Sequence, residues 1–211
     1  MDEFTLGDPA VVCRWRLWEN SLPLENRHLR ALAARKAPTG IISTGLLAWA
    51  KQHLEWTLEE GSALHPSGVL MLVIDKSGKA AMTVGAYEKL THTSANDLLQ
   101  RAVNSRKEAL ELGVSPEDLW VSRDGVLVWS TASEFAPSGS SSLIADLART
   151  LGMPVRRDEG LLDQMASSGA RADEEVFLVS DEHGVVVAHD HNGPRAQKFA
   201  TSYQKLLDSK S

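Results

Sequence analysis

The sequence predicts an α+β fold, and three observations carry that prediction. Strands and helices follow one another in mixed order rather than as a βαβ repeat. Adjacent strands are joined by glycine-bearing turns, the signal of hairpins. The helical segments each carry one apolar stripe and are punctuated by serine caps and glycine stops. With 211 residues the chain can bury one sizeable core, or two small lobes that share one.

Taken in order, Val11–Trp18 alternates apolar residues with Arg14 and Arg16, as a half-buried strand does. Ser43 is placed to cap a helix running to about Glu60, with Leu46, Leu47, Ala50, Leu54 and Leu58 on one face. Gly61 stands where a left-handed terminator is expected. Val69–Asp75 and Ala80–Gly85 flank Lys76-Ser77-Gly78-Lys79, which reads as a hairpin. The polar stretch Leu90–Ala95 then leads into a second helix, Asn96–Leu112, stopped by Gly113. A boundary near residue 90 divides a small α+β lobe, 1–90, from a larger one, 91–211.

In the second part, strands at Leu119–Ser122 and Val126–Ser130 turn at Arg123-Asp124-Gly125. Ser140–Ser142 opens a helix that buries Leu143, Ile144, Leu147, Ala148 and Leu151 and ends at Gly152. Val176–Ser180 and Val185–Ala188 are strands joined by a turn at Asp181–Gly184. Pro194 opens the last helix, where its missing N–H is harmless, and Phe199, Tyr203, Leu206 and Leu207 form its buried face.

Composition excludes several classes of function. A hydrophobic fraction of 43% and a charged fraction of 24% are those of an ordinary soluble domain. The net charge is −6 with acids and bases interleaved, so no basic run supplies a field for nucleic acid or an anionic membrane. No apolar stretch has the length of a membrane span. The acidic start Met1-Asp2-Glu3-Phe4 lacks the positive region of a signal peptide, so a cytoplasmic location is the expectation. Cys13 is the only cysteine, which excludes an internal disulfide and argues against a Cys-ligated metal. His189-Asp190-His191 sets two imidazoles on one face of an extended segment, but two ligands are too few for structural zinc, and no metal is expected. Trp49 and Trp56 lie seven apart on one helix, a spacing of packing rather than of a ligand cage. The serine-rich segment contains no Gly-x-Ser-x-Gly elbow, so a serine nucleophile is not indicated.

A series of short motifs does point to a family. Tyr87 through Gly113 includes Asn96-Asp97-Leu98-Leu99 opening a helix and Glu108-Ala109 near its end. Before it come Arg14-Trp15-Arg16, His28-Leu29-Arg30-Ala31-Leu32, the strand Gly68–Asp75 and Ala86-Tyr87-Glu88-Lys89-Leu90. After it come Arg123–Ser130, Ser133-Glu134-Phe135, Pro137–Ser142, Ala172–Leu178 and Gly193-Pro194. In this order the motifs resemble those of the fold-type IV pyridoxal-phosphate (PLP) enzymes, which include branched-chain aminotransferases, D-amino-acid aminotransferases and aminodeoxychorismate lyases. The resemblance implies a two-lobed architecture, shortened at its N-terminal side, with the ancestral site between the lobes. It also implies a homodimer, because members of this family complete their sites across a subunit interface.

What the resemblance implies for chemistry is a loss. The family's Schiff-base lysine falls at Ser94 or Ala95, and neither can hold an aldehyde or move a proton at a substrate carbon. Lys89 is the one alternative, and it requires a slip of more than a helical turn. The glutamate that keeps the pyridine nitrogen protonated falls at Trp129, whose indole only donates. Trp129 is read as filling the volume of the cofactor ring; Glu134, where the family has asparagine, reads as a solvated strand-end glutamate, with a displaced carboxylate partner as the alternative. Gly139, Ser140 and Ser141 correspond to a phosphate-binding helix start, and Ser180 to the second phosphate contact. The same serines also make an ordinary helix cap. Asp181 and Glu182 follow Ser180 at once, and carboxylates beside a phosphate dianion repel it by several kcal/mol in a partly buried site.

The reading is therefore a class IV aminotransferase-like protein without PLP catalysis. It expects no cofactor and a homodimer that serves as a scaffold or binds a small molecule in the inter-lobe cleft. The competing readings are an active PLP-dependent aminotransferase or lyase that uses Lys89, and a protein-interaction module that uses the old cleft or exposed tryptophans.

Overall fold

A three-stranded and a five-stranded sheet organise the chain, with a two-stranded ribbon beside them. The computed structural model describes residues 5–37, 40–61, 64–131 and 134–209. The first part runs β1 (Pro9–Arg16), α1 (Glu25–Ala33), β2 (Lys36–Ala37), β3 (Gly40–Ile41), α2 (Thr44–Gly61), β4 (Val69–Asp75) and β5 (Ala80–Gly85). The second runs α3 (Ala95–Leu112), β6 (Asp118–Arg123), β7 (Val126–Trp129), α4 (Gly139–Thr150) and β8 (Val155–Arg157). It closes with α5 (Leu161–Ser168), β9 (Glu175–Ser180), β10 (Gly184–Val187) and α6 (Pro194–Asp208).

The small sheet is antiparallel in the order β1-β4-β5. Its inner face packs Trp15, Leu70, Leu72 and Ile74 against Ala50 and Leu54 of α2. Ser43 Oγ accepts the Leu46 N–H at 3.1 Å and so starts α2 as its sequence position predicts. Gly61 departs from the expectation. It is the last helical residue and has no left-handed φ. Its smallness serves packing instead, because a Cβ there would lie 2.9 Å from Val84 Cγ2.

The large sheet has the order β10-β9-β6-β7-β8, antiparallel except for the β7–β8 pair. The period of two along β6 divides its core. Leu119 and Val121 face α3 and α5, whereas Trp120 faces α4 and α6. The β6–β7 turn holds Asp124 and Gly125 at positive φ (50° and 80°), the two-residue geometry that matches strand twist. Gly113 ends α3 at φ 65° and passes so close to β1 that a Cβ would lie 1.8 Å from the Ala10 carbonyl oxygen. Three backbone hydrogen bonds join β1 to the second half: Val12 N–H to Gly113 O, Ser115 N–H to Val12 O, and Arg16 N–H to Asp181 O.

Helices α1 and α5 and strand β8 escaped the sequence reading. Neither helix has a side-chain cap, and α1 starts from Leu24 in the left-handed conformation. Strand β8 is three residues long. Among the described residues no helix is long and apolar enough to cross a membrane.

Candidate functional site

Asp181 follows β9, and its side chain turns under the first residues of α4. Its Oδ1 accepts the Ser140 N–H at 2.7 Å and its Oδ2 the Gly139 N–H at 3.3 Å. The Ser141 N–H goes to Ser138 Oγ at 3.1 Å, so all three first-turn amides of α4 are bonded within the chain. The helix dipole adds its field to this arrangement and favours negative charge at that end. His28 of α1, 2% exposed, brings Nδ1 to 3.4 Å from Asp181 Oδ2 without closing a regular hydrogen bond. Trp15 stacks on the His28 ring at 5.4 Å, and a Cβ at residue 139 would lie 2.7 Å from Nδ1, which is why glycine stands there.

Two carboxyls near this helix start behave oppositely. Burial pushes Asp181 up, but the adjacent His28 ring and the bonds from Ser140 outweigh it and hold the carboxyl below its ordinary value. Burial pushes Asp118, which accepts the Ser141 hydroxyl, up to about 7 against the opposing pull of that hydroxyl and the Trp129 indole. The other serine hydroxyls are also engaged. Ser140 Oγ lies 3.1 Å from Tyr203 Oη, and Ser142 Oγ donates to Gly139 O at 2.8 Å.

Beside this dry cluster opens a cleft of about 440 Å³ where β1, α3 and the β9–β10 turn meet. Arg14, Gln100, Arg101, Asn104, Glu108 and Glu182 are among its walls, and among the described residues no lysine lines it. At its back, Arg101 forks onto both oxygens of Glu117. Arg101 Nη2 also lies 2.8 Å from His183 Nε2. A guanidinium only donates, so Nε2 is the accepting nitrogen, and Nδ1 carries the proton toward Tyr87 Oη at 3.3 Å. Burial, then Arg101, Arg16 and Arg14, push His183 down to about 3, so the ring is neutral. Burial raises both Glu117 and Tyr87, and Arg101 and Arg16 respectively oppose the shift. Tyr87, under the Arg16 guanidinium at 3.4 Å from its ring centroid, stays a phenol with its own hydrogen free to donate. The cleft thus offers hydrogen-bond donors and acceptors but no amine and no activated nucleophile.

The structure gathers some of the predicted residues and scatters others. Gly139, Ser140 and Ser141 lie together around Asp181. Ser180 is adjacent, but its Oγ accepts the His183 N–H at 2.9 Å, within its own turn. Ser94 caps α3 in a reciprocal box with Asp97, and the Ala95 N–H donates to Asp190 Oδ1 at 2.8 Å. Lys89 is exposed on the irregular segment between β5 and α3. Trp129 is buried in a stack with Trp120, centroids 4.8 Å apart, on the α4–α6 face of the large sheet. Glu134 is exposed and lines a different pocket with Arg35, Lys36 and Lys76. Ser133 lies outside the described residues.

The extended conformation that would set His189 and His191 on one face is not present. The three residues form a bend after β10, and His191 Nδ1 meets the Glu174 carbonyl at 3.2 Å. Among the described residues, Glu117, Glu182 and His183 bring potential metal ligands within 4.8 Å of one another. Arg101 already stands between Glu117 and His183 as their cation. Sequence reasoning missed His28, Arg101, Glu117 and His183. A signal for Arg101 existed, because Asp97, Arg101, Asn104 and Glu108 form one polar face of a helix whose opposite face is apolar.

No family model matches the chain, and no curated protein matches its sequence. Solved structures match in shape. A 4-amino-4-deoxychorismate lyase from Pseudomonas aeruginosa aligns over 99% of this chain and 97% of its own, with 15% identity and a TM-score of 0.63. A hypothetical aminotransferase from Mycobacterium tuberculosis in its PLP-bound form covers 100% and 95%, with 14% identity and 0.62. A fold IV-transaminase from Curtobacterium pusillum covers 96% and 85%, with 13% identity and 0.60. At these identities the likeness is one of fold. The chain has the α+β fold of the fold-type IV PLP enzymes.

Proposed function

We propose that this protein works without PLP, as a cytoplasmic homodimer that binds a polar small molecule in the cleft beside Asp181. The observation that carries this reading is the lining of the cleft, which among the described residues contains arginines and carboxylates and no lysine. PLP chemistry needs an amine within reach of the cofactor carbonyl. The positions that resemble the family's lysine are held by Ser94, engaged in a helix cap, and Ala95. The residues at the α4 start do not fit the phosphate either, because its free amides already hold a carboxylate. Trp129 adds to the same side, since a buried indole in a tryptophan stack supplies no carboxylate for a pyridine nitrogen.

The competing enzyme reading draws on the fold likeness and needs an unrecognised lysine such as Lys89. The interaction-module reading expects a filled cleft and a continuous apolar patch. Here the cleft is open, and the exposed large apolar residues are spread over three places: Trp56 on α2, Leu64 after it, and Leu110 with Leu112 at the end of α3.

The test is an absorbance titration of the purified protein with PLP, followed by borohydride reduction and peptide mapping. The expected result is no saturable visible band and no reduced lysine at one site. One stoichiometric adduct on a single lysine overturns the cofactor-free reading and names the catalytic residue.

A further inference from the structure

We propose that the N-terminus of α4 is an oxyanion site that the chain fills with its own Asp181 carboxylate, and that a tetrahedral oxyanion, phosphate or sulfate, binds there once that side chain is removed. The inference rests on the cofactor-free reading for its meaning, since it names what replaces an external phosphate group.

The donors converge as they would on a bound anion. Gly139 N–H and Ser140 N–H each take one oxygen of Asp181, at 3.3 and 2.7 Å. Both lie at the positive end of a helix of 12 residues. The second and independent observation is His28. It is 2% exposed, and its Nδ1 is aimed at the same carboxylate at 3.4 Å yet has no hydrogen-bond partner. Trp15 on one side and Gly139 on the other hold the ring so that it does not turn to another acceptor. A carboxylate has two oxygens, both engaged by amides, and meets His28 only obliquely. A tetrahedral oxyanion has a third oxygen to offer that nitrogen.

The closure is a side-chain event on a fixed backbone. The Asp181 carbonyl accepts the Arg16 N–H at 2.9 Å, so removing the carboxylate leaves the turn anchored to β1. Among the described residues no other acid shares the two amides. Asp118 is held by the Ser141 hydroxyl, one residue further into the helix.

The experiment compares wild type, Asp181→Gly and Asp181→Asn by thermal melting in a millimolar series of inorganic phosphate at constant ionic strength, with chloride as the control. The expected result is a saturable rise of several degrees in the midpoint for D181G only. Wild type and D181N, whose side chains still occupy the site, stay flat, and adding His28→Ala to D181G removes most of the gain. A D181G protein blind to phosphate, or a wild type that gains as much, overturns the inference. If D181G does not fold, the amide resonances of Gly139 and Ser140 in wild type decide. They should ignore phosphate at neutral pH, and movement on a saturable curve overturns the closed site. A lysine adduct in the PLP experiment sinks the cofactor-free reading whatever phosphate does to D181G. A phosphate-blind D181G sinks this inference whatever the adduct experiment gives.

Discussion

The two ion clusters at the end of β9 differ in how dry they are, and the difference separates scaffold from recognition surface. In the first, Asp181 and His28 are almost fully buried under α4. In the second, Glu117 is nearly buried but its partner Arg101 keeps 35% of its side chain in solvent. Each carboxylate has a basic side chain beside it. Coulomb attraction is several times stronger in a dry site than at a wet one, and so is the penalty for leaving one partner alone. The dry cluster therefore fixes how α1, β9 and α4 meet. The wet one has side chains that can turn toward a ligand.

The sharpest way to break this comparison is Asp181→Asn, which keeps the shape and removes the charge. It should cost about 3–5 kcal/mol in urea denaturation at neutral pH, the usual penalty for breaking a buried pair. A loss below about 1 kcal/mol would mean that the pair does not organise the helix start.

Two buried groups beside these clusters, Asp118 and His183, should answer pH in opposite directions. Asp118 has its folded value raised to about 7 from 3.8. Between those values the folded state keeps a proton that the unfolded chain has released, so Asp118 makes stability fall as pH rises through that window. His183 has its folded value lowered to about 3 from 6.5. There the unfolded chain holds the extra proton, so His183 makes stability rise with pH. In wild type the two slopes offset each other. Asp118→Asn should expose the rising limb between pH 4 and 6.5, gaining on the order of 3 kcal/mol relative to wild type across it. Denaturation midpoints at matched pH check this, and a D118N profile parallel to wild type would remove Asp118 from the account.

Arg101→Met is the counterpart in the wet cluster. It strands the Glu117 carboxylate and frees His183 Nε2, and water on one side softens both effects. The expected loss is about 2 kcal/mol, smaller than that of D181N. An R101M loss equal to that of D181N would erase the distinction between the clusters.

How much of this was legible depends on the sequence distance over which each feature is made. The hairpins β4–β5 and β6–β7 were readable because alternation and turn residues sit within a few positions. The cap of α2 was readable for the same reason, as was the glycine stop of α3, whereas α4 is capped by Ser138, two residues before the serines expected to open it. Ser94 with Asp97 spells a capping box, which accounts for the serine that stands near a lysine position. Helices α1 and α5 were not readable, because each is short, lacks a side-chain cap and takes its stability from tertiary packing. The proximity of a carboxylate to the phosphate-like motif was visible at Asp181. Its closure onto Ser140 was not, because that bond spans 41 residues and depends on the register of two sheets. His28 was quoted only as part of a motif, and nothing local marks its ring as facing a helix 111 positions later.

The smallest expected effect tests the cleft as a place left free for a ligand. Arg14 stands between Glu108 at 3.9 Å and Glu182 at 3.7 Å, beyond hydrogen-bond reach of either, with a third or more of its own side chain in solvent. Exposed pairs of this kind contribute little, because screening and side-chain entropy offset the attraction. Arg14→Gln should therefore change stability by less than about 0.5 kcal/mol, and added salt should shrink even that difference, whereas the D181N deficit should persist in salt. A loss above about 1 kcal/mol would show Arg14 to be part of a closed structural network. A near-silent R14Q would leave its guanidinium with no structural duty and two weakly held carboxylates beside it, which is the arrangement a polar ligand can displace without disturbing the fold.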